Sequence, residues 1–177
     1  MTAVADLSSR GRTHSPLIGA ARRLGRAWER IRRPADAILG VRVVVWLSAA
    51  ALLLKLLPPR AVLRMIGGRR SVAEVRWQEV ERVRAMVDAW IGVWPFRGRR
   101  SCLRRSLVLY RLLRAQGLDV GLELGVRRAA GRLAGHSWII WRGAPLFEPL
   151  DPFQDFATMD YWSHHEQELP GATRNSK

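Results

Sequence analysis

The sequence predicts an α+β fold, in which helices from the N-terminal half pack on a small antiparallel sheet of at least three strands. Apolar residues recur at helical spacing as far as Gly117 and then alternate with Asp, Glu or Gly over residues 118–126. With 177 residues, the chain is long enough for one domain with a sizeable core. Its single cysteine excludes an intramolecular disulfide and does not suggest secretion.

The N-terminal part of the chain is first basic and then strongly apolar. Residues 1–13 are predicted to be disordered, and residues 17–33 predict a basic amphipathic helix that ends at a proline. This helix can lie on a membrane surface, on a partner protein or on the chain's own core, and the sequence leaves the three alternatives open. Residues 41–57 predict a helix packed on the protein, because Arg42 and Lys55 enclose twelve uncharged residues where a membrane span needs about 20. Membrane association is therefore the less favoured alternative.

Three further helices are predicted before the strands. Residues 60–66 predict a short helix closed by two glycines. Ser71 and Glu74 have the spacing of a capping box, which predicts a helix over residues 71–94. Ser101 predicts the N-cap of the last helix, which carries the only cysteine near its start.

The C-terminal half predicts strands. Residues 118–126 alternate as in a half-buried strand, and residues 127–135 predict a loop placed where a substrate-binding loop would sit. In the next strand, His136 shares one side with Trp138 and Ile140. Residues 149–162 predict a short helix or a cover for the sheet.

We accordingly divide the chain into four regions. These are a disordered basic tail (1–13), an N-terminal helical region (14–70), a core domain (71–165) and a C-terminal tail (166–177). The His164–His165 pair lies in a polar stretch without a cysteine partner, so no metal site is predicted.

A hairpin turn decides what lies opposite His136. A three-residue loop over residues 141–143 places Gly143 at the left-handed position that such loops require. Residues whose numbers add up to 284 then face each other, so that His136 lies opposite Glu148. A two-residue loop instead pairs His136 with Pro149, and we base our prediction on the three-residue loop.

A thiol, an imidazole and a carboxylate are therefore candidates for one site. Cys102 lies in the first turn of a predicted helix, where free N–H groups and the helix dipole lower thiol pKa values to roughly 3.5–7.5. Such a thiol, a histidine base and a carboxylate that orients the base make up a cysteine nucleophile. The carboxylate is predicted to be Glu148, and Asp151 is the alternative.

Several motifs in this order resemble one known family, the transglutaminase-like cysteine proteases of lasso peptide biosynthesis. The likeness is to the split form, in which the leader-binding module and the protease are separate chains. The motifs that carry the resemblance are Cys102-Leu103-Arg104-Arg105-Ser106-Leu107, Leu112-Leu113-Arg114-Ala115-Gln116-Gly117, Gly125-Val126, and His136-Ser137-Trp138 followed by Gly143. Together they cover roughly residues 54–148.

The resemblance implies a papain/transglutaminase-like core with the catalytic cysteine at a helix N-terminus. It implies a Cys-His-Asp triad, to which Cys102 and His136 match by type, whereas Glu148 stands where aspartate is expected and Ser137 where alanine is usual. The implied activity is a leader peptidase that acts in the cytoplasm, without a cofactor, on a ribosomal precursor peptide. The implied partners are a small leader-binding protein and an ATP-dependent, asparagine-synthetase-like cyclase.

The charge of the chain leaves two other classes open. The formal net charge is +15, and 28 of the 30 basic residues are arginines that are spread along the sequence. The charge favours an acidic partner, such as an acidic leader peptide, and no nucleic-acid partner is expected. The first alternative is another acyl-transfer enzyme, such as a transglutaminase or an amidase. The second is a non-enzymatic, arginine-rich protein that binds nucleic acid or a membrane surface.

Overall fold

The computed structural model describes residues 34–66, 74–93, 101–129 and 131–163. The predicted tails and the predicted helix over residues 17–33 lie outside them. Within the described ranges the chain forms helices first and then an antiparallel sheet, which confirms the α+β class. The helices are α1 (Pro34–Leu56), α2 (Pro59–Ile66), α3 (Trp77–Val93) and α4 (Ser101–Ala115). The strands are β1 (Val120–Ala129), β2 (Arg132–Trp141), β3 (Ala144–Leu146) and β4 (Ala157–Trp162).

Helix α1 is longer than the sequence predicts. It begins at Pro34, whose fixed φ and missing N–H suit the first position of a helix. One face packs against α3 and α4. In its first turn, the buried Asp36 carboxylate accepts a hydrogen bond from Arg82 Nε on α3 at 2.6 Å. The buried residues of α1 are Asp36, Leu39, Gly40, Val43, Leu47, Ala50 and Leu54.

The opposite face of α1 is exposed, so the predicted packed helix is buried along one side only. Its exposed large apolar residues are Ile38, Val41, Val45, Leu52 and Leu56. Among the described residues, α1 is the one helix whose length and apolar composition are sufficient to cross a membrane, and a third of its most apolar window is buried.

The starts of α2 and α3 differ from the predictions. Helix α2 begins one residue before the predicted range. Helix α3 begins at Trp77, so the predicted start at Ser71, which itself lies outside the described residues, is wrong. Residues 74–76 precede the helix: Val75 packs against the core, and the Arg76 carbonyl accepts hydrogen bonds from the N–H groups of Glu79 and Val80.

The described strands form one sheet in the order β3-β2-β1-β4. Strands β1 and β2 continue to pair from Arg127↔Ala134 to Ala129↔Arg132, so the predicted loop over residues 127–135 is wrong. A tight turn through Gly131, whose φ is 73°, takes its place. The predicted helix or cover over residues 149–162 is a short 3-10 helix, Pro152–Gln154, followed by strand β4.

The turn between β2 and β3 corrects the predicted register. Trp141 pairs with Ala144 and Ile139 with Leu146, so the loop consists of two residues, Arg142 and Gly143. Both have positive φ, 51° and 82°, as in the type I′ turns that match the right-handed twist of hairpin strands. The Arg142 guanidinium lies over the Trp141 ring at 4.6 Å. His136 is therefore not directly opposite Glu148 in the ladder.

Helix α4 is the centre of the core, since it contacts every other described helix and strands β1 and β2. Aromatic residues cover the other side of the sheet: Trp138 is fully buried against Phe153 and Phe156. Gly125, the strand partner of His136, is required there, because a Cβ would come within 2.6 Å of the Trp138 ring.

We expect the two faces of α1 to differ in their contribution to stability. Leu47 is fully buried and Leu52 is 59% exposed on the same helix. Leu47→Ala should lower the free energy of unfolding by about 2–5 kcal/mol, because it leaves a cavity in the core. Leu52→Ala, the matched control, should change it by less than about 0.5 kcal/mol. Urea denaturation measures both, and equal losses would contradict the packing of α1.

Candidate active site

Cys102 is the second residue of α4 and is partly buried. Burial by itself raises the pKa of its thiol. A hydrogen bond and the charge of His136 act in the opposite direction, as do hydrogen bonds with the Ser137 side chain and the Leu103 N–H, so that the pKa of Cys102 is lowered. The thiolate at the helix start also faces the free N–H groups of the first turn.

His136 lies between aromatic rings and two polar partners. Its ring stacks on Trp138 at 5.7 Å and is tilted against Phe156 at 5.4 Å. Its Nε2 lies 3.0 Å from Glu148 Oε2. A carboxylate only accepts hydrogen bonds, so Nε2 donates the proton and Nδ1 is the ring nitrogen left for Cys102.

The electrostatic interactions of His136 with Cys102 and Glu148 favour the charged form of the histidine. The hydrogen bond with Cys102 and then the contact with Glu148 raise the pKa of His136 to about 9, against the opposing effect of burial. The pKa of Cys102 moves down while that of His136 moves up. Opposite shifts of this kind favour a thiolate–imidazolium pair near neutral pH, which is the reactive form of a nucleophilic cysteine.

Glu148 reaches His136 by a route that the sequence does not reveal. Strand β3 ends at Leu146, and Phe147 has a φ of 67°, in the left-handed region. The alternation of the strand therefore stops before Glu148, whose side chain turns inward and is only 10% exposed. The predicted contact with His136 is present, although the predicted register is wrong. The second oxygen, Oε1, accepts a hydrogen bond from Arg105 Nη1 at 3.1 Å.

Asp151, the alternative third member, lies elsewhere. It is exposed and caps the 3-10 helix, where its carboxylate accepts a hydrogen bond from the Phe153 N–H at 3.0 Å. Its side chain is therefore committed to local structure, and the structure brings Glu148 rather than Asp151 to His136.

Four residues that the sequence did not assign to the site surround it. Ser106 Oγ donates to the Ser137 carbonyl at 2.9 Å, and Ser137 Oγ donates to Ser106 Oγ at 3.2 Å. Arg105 holds Glu148, and Asp88 on α3 holds Arg105. The sequence singled out Ser137 only as a departure from alanine. It placed Arg105 near Cys102 only as a source of positive charge, not as a partner of Glu148, and it held no signal for Asp88.

In the part of the chain that the structure describes, no group of three or more His, Cys, Asp or Glu residues is arranged to hold a metal ion. A surface cavity lies beside Gly117 and Leu118, near the far end of α4 from Cys102.

Residues 43–160 match the family model of the transglutaminase-like superfamily. The matched range spans about two thirds of the chain and includes Cys102, His136 and Glu148. The protein therefore belongs to the transglutaminase-like superfamily. Most members of that superfamily are cysteine-dependent enzymes. No curated protein and no solved structure matches the chain.

We expect iodoacetamide to alkylate Cys102 readily at neutral pH, because the lowered thiol pKa leaves thiolate present there. The rate should fall as the pH drops through that lowered pKa and the thiolate is protonated. His136→Ala removes the largest stabilising contact, so the rate profile should move to higher pH. With one cysteine in the chain, intact mass gives the labelled fraction directly.

Asp151→Asn is the matched control for the alkylation profile, since Asp151 is exposed and its contact is local. It should leave the profile unchanged. A wild-type midpoint near about 8.5, the value of an ordinary thiol, that His136→Ala does not move would contradict the ion pair.

Proposed function

We propose that this protein is a cysteine peptidase that removes the leader peptide from a ribosomally made lasso peptide precursor. The observation that carries the peptidase chemistry is the contact of Glu148 with His136 beside Cys102, with opposite pKa shifts of the thiol and the imidazole. The motif resemblance around Cys102 and His136 supports the substrate class. Membership of the transglutaminase-like superfamily agrees with this chemistry.

The reaction follows from the roles of the three side chains. The Cys102 thiolate attacks the carbonyl carbon of the scissile peptide bond, and the Cys102 backbone N–H at the start of α4 faces the developing oxyanion. The His136 imidazolium gives its proton to the leaving amine, and a thioester to Cys102 remains. Neutral His136 then takes a proton from water, which attacks the thioester and frees the new carboxylate. Glu148 keeps the ring oriented and stabilises its cation.

We further propose that the peptidase acts with other proteins in the cytoplasm. A separate leader-binding protein presents the precursor, and an ATP-dependent, asparagine-synthetase-like cyclase receives the core peptide with its freed N-terminus. The net charge of +15 supports an acidic leader or partner. The resemblance to the split form of the family supports the separate leader-binding chain.

The superfamily match also supports transfer of the acyl group to an acceptor other than water. A thioester on Cys102 is the intermediate of both hydrolysis and transfer, so the same three side chains serve a transglutaminase as well as a peptidase or an amidase. The products separate the two, because hydrolysis yields a free carboxylate and transfer yields a new amide.

We expect precursor cleavage to depend on Cys102 and on the leader-binding protein. The purified chain alone should cut the precursor slowly, whereas added leader-binding protein should restore rapid cleavage, because it raises the effective concentration of the scissile bond. Cys102→Ala should abolish cleavage while the circular dichroism spectrum stays unchanged. Mass spectrometry of both fragments gives the cut site and the new C-terminus.

Three outcomes would contradict this assignment. Cleavage at the wild-type rate by Cys102→Ala would remove the thiol from the mechanism. Full activity of the chain alone, with no gain from the leader-binding protein, would refute the need for that partner. An amide adduct at the acyl position, instead of a free carboxylate, would replace the peptidase with an acyltransferase.

We expect Glu148→Gln to lower turnover severely, by up to about 10⁴-fold, since this is the loss measured for the orienting carboxylate of a serine protease triad. Glu148→Asp should retain part of the activity, because it keeps the charge. Asp151→Asn is the control with the same loss of charge and should be mild, because Asp151 only caps the 3-10 helix. Steady-state cleavage of the precursor measures all three. A severe loss of turnover in Asp151→Asn, together with a mild loss in Glu148→Gln, would make Asp151 the carboxylate that orients His136.

A further inference from the structure

The orientation of the Glu148 carboxylate is set by two contacts. One oxygen accepts from His136 Nε2 at 3.0 Å and the other from Arg105 Nη1 at 3.1 Å. The backbone at Glu148 lies outside the ladder, since β3 ends at Leu146. Strand pairing therefore does not fix the carboxylate, and the contact with Arg105 has to do so from the other side.

Arg105 is itself held by a third element. It lies on α4, one turn after Cys102, and its side chain is 19% exposed. Its Nε donates to Asp88 Oδ1 at 2.6 Å and its Nη2 to Asp88 Oδ2 at 3.4 Å, so that Asp88 on α3 grips one edge of the guanidinium. Because the guanidinium group is rigid and planar, these two hydrogen bonds set the direction in which Nη1 points, towards Glu148.

Asp88 also balances the charge beside the site. Without the Asp88 carboxylate, the Arg105 cation would compete more strongly with the His136 imidazolium for the Glu148 carboxylate. Burial lowers the pKa of Arg105, but Asp88 and then Glu148 outweigh this effect and raise it, so the guanidinium stays charged. The charges alternate in sign from Cys102 through His136, Glu148 and Arg105 to Asp88.

We infer that Asp88 and Arg105 are positioning residues for the proposed peptidase: Asp88 fixes Arg105, and Arg105 fixes the Glu148 carboxylate against His136. This inference rests on the proposed function, because it assigns the two residues a role through the third member of the triad. It also assigns α3 a part in catalysis, through the contact of Asp88 with Arg105.

Asp88→Asn tests the inference, because it keeps the shape of the side chain and removes the charge that grips Arg105. In the reconstituted cleavage of the precursor, kcat should fall by about 10- to 100-fold, as for other supporting contacts of an active site, while KM stays within about twofold. Asp88→Glu should recover part of the loss. At pH 7, the rate at which iodoacetamide alkylates Cys102 should fall as well, since a misplaced Glu148 supports the His136 cation less.

Glu81→Gln is the matched control on the same helix. Glu81 pairs with Arg84 at 3.0 Å on the exposed side of α3, and Arg84 also approaches Asp88 at 3.5 Å. The variant removes one carboxylate ion pair from α3 and leaves the grip on Arg105 in place. It should keep kcat, KM and the alkylation rate of the wild type.

A double variant separates positioning from mere support of the fold. In the Glu148→Gln background, Asp88→Asn should lower kcat by no more than about twofold, because its effect acts through Glu148. If Asp88→Asn lowers kcat by the same factor in both backgrounds, the inference is overturned. An unchanged kcat in the single variant Asp88→Asn would overturn it as well. If Asp88→Asn does not fold, Arg105→Lys, which keeps the charge but loses the fork, replaces it with the same expectations.

The alkylation rate keeps this inference distinct from the proposed function. If the wild-type protein does not cleave the precursor, the peptidase proposal fails, and the alkylation arm still decides the role of Asp88. Slower alkylation in Asp88→Asn and Glu148→Gln, with Glu81→Gln unchanged, supports positioning. Equal rates in all four proteins overturn it.

Discussion

The buried contact between Ser106 and Ser137 sets how α4 lies on the sheet, and the rest of the site depends on it. Each serine is at most 1% exposed, and each donates a hydrogen bond to the other residue. Ser106 follows Cys102 by four residues, so both side chains lie on the same face of α4. Ser137 follows His136 directly. A slip of the helix along β2 would break two buried hydrogen bonds and separate the thiol from the imidazole at the same time.

The alternation of acidic and basic groups offsets the cost of burying charge in this site. An isolated buried charge loses its hydration at a cost of several kcal/mol, and an opposite charge with good hydrogen bonds offsets that cost. Here each charge has a neighbour of the opposite sign, from the Cys102 thiolate to the Asp88 carboxylate. Glu148 is the least exposed of the four ion-paired side chains, at 10%, whereas His136 is 28% and Asp88 35% exposed.

The sequence could predict the class of fold and the position of the thiol and the imidazole, because these follow from periodicity and helix starts. It could not predict the register of the β2–β3 hairpin. Trp141-Arg142-Gly143 fits a three-residue loop as well as a two-residue turn, and the left-handed φ of Arg142 that decides between them is unusual for arginine. The pairing of Asp88 with Arg105 joins two helices and leaves no trace in the spacing of residues.

Phe147 explains how Glu148 reaches His136 although the predicted register is wrong, and why a glutamate suits this position. A bulky residue in the left-handed region costs about 1–2 kcal/mol, and charge-assisted hydrogen bonds of about 1.5–3 kcal/mol each can offset it. Glu148 makes two such bonds, while the Phe147 ring packs on the core beneath the Arg84 guanidinium at 5.3 Å. The backbone at Glu148 has left the ladder and must reach His136 and Arg105 from outside it. The extra methylene of glutamate adds about 1.3 Å of reach, which an aspartate at this position would lack. The glutamate, at a position where the resemblance implies aspartate, and the break at Phe147 therefore form one structural solution: the strand ends early, and the longer side chain spans the distance.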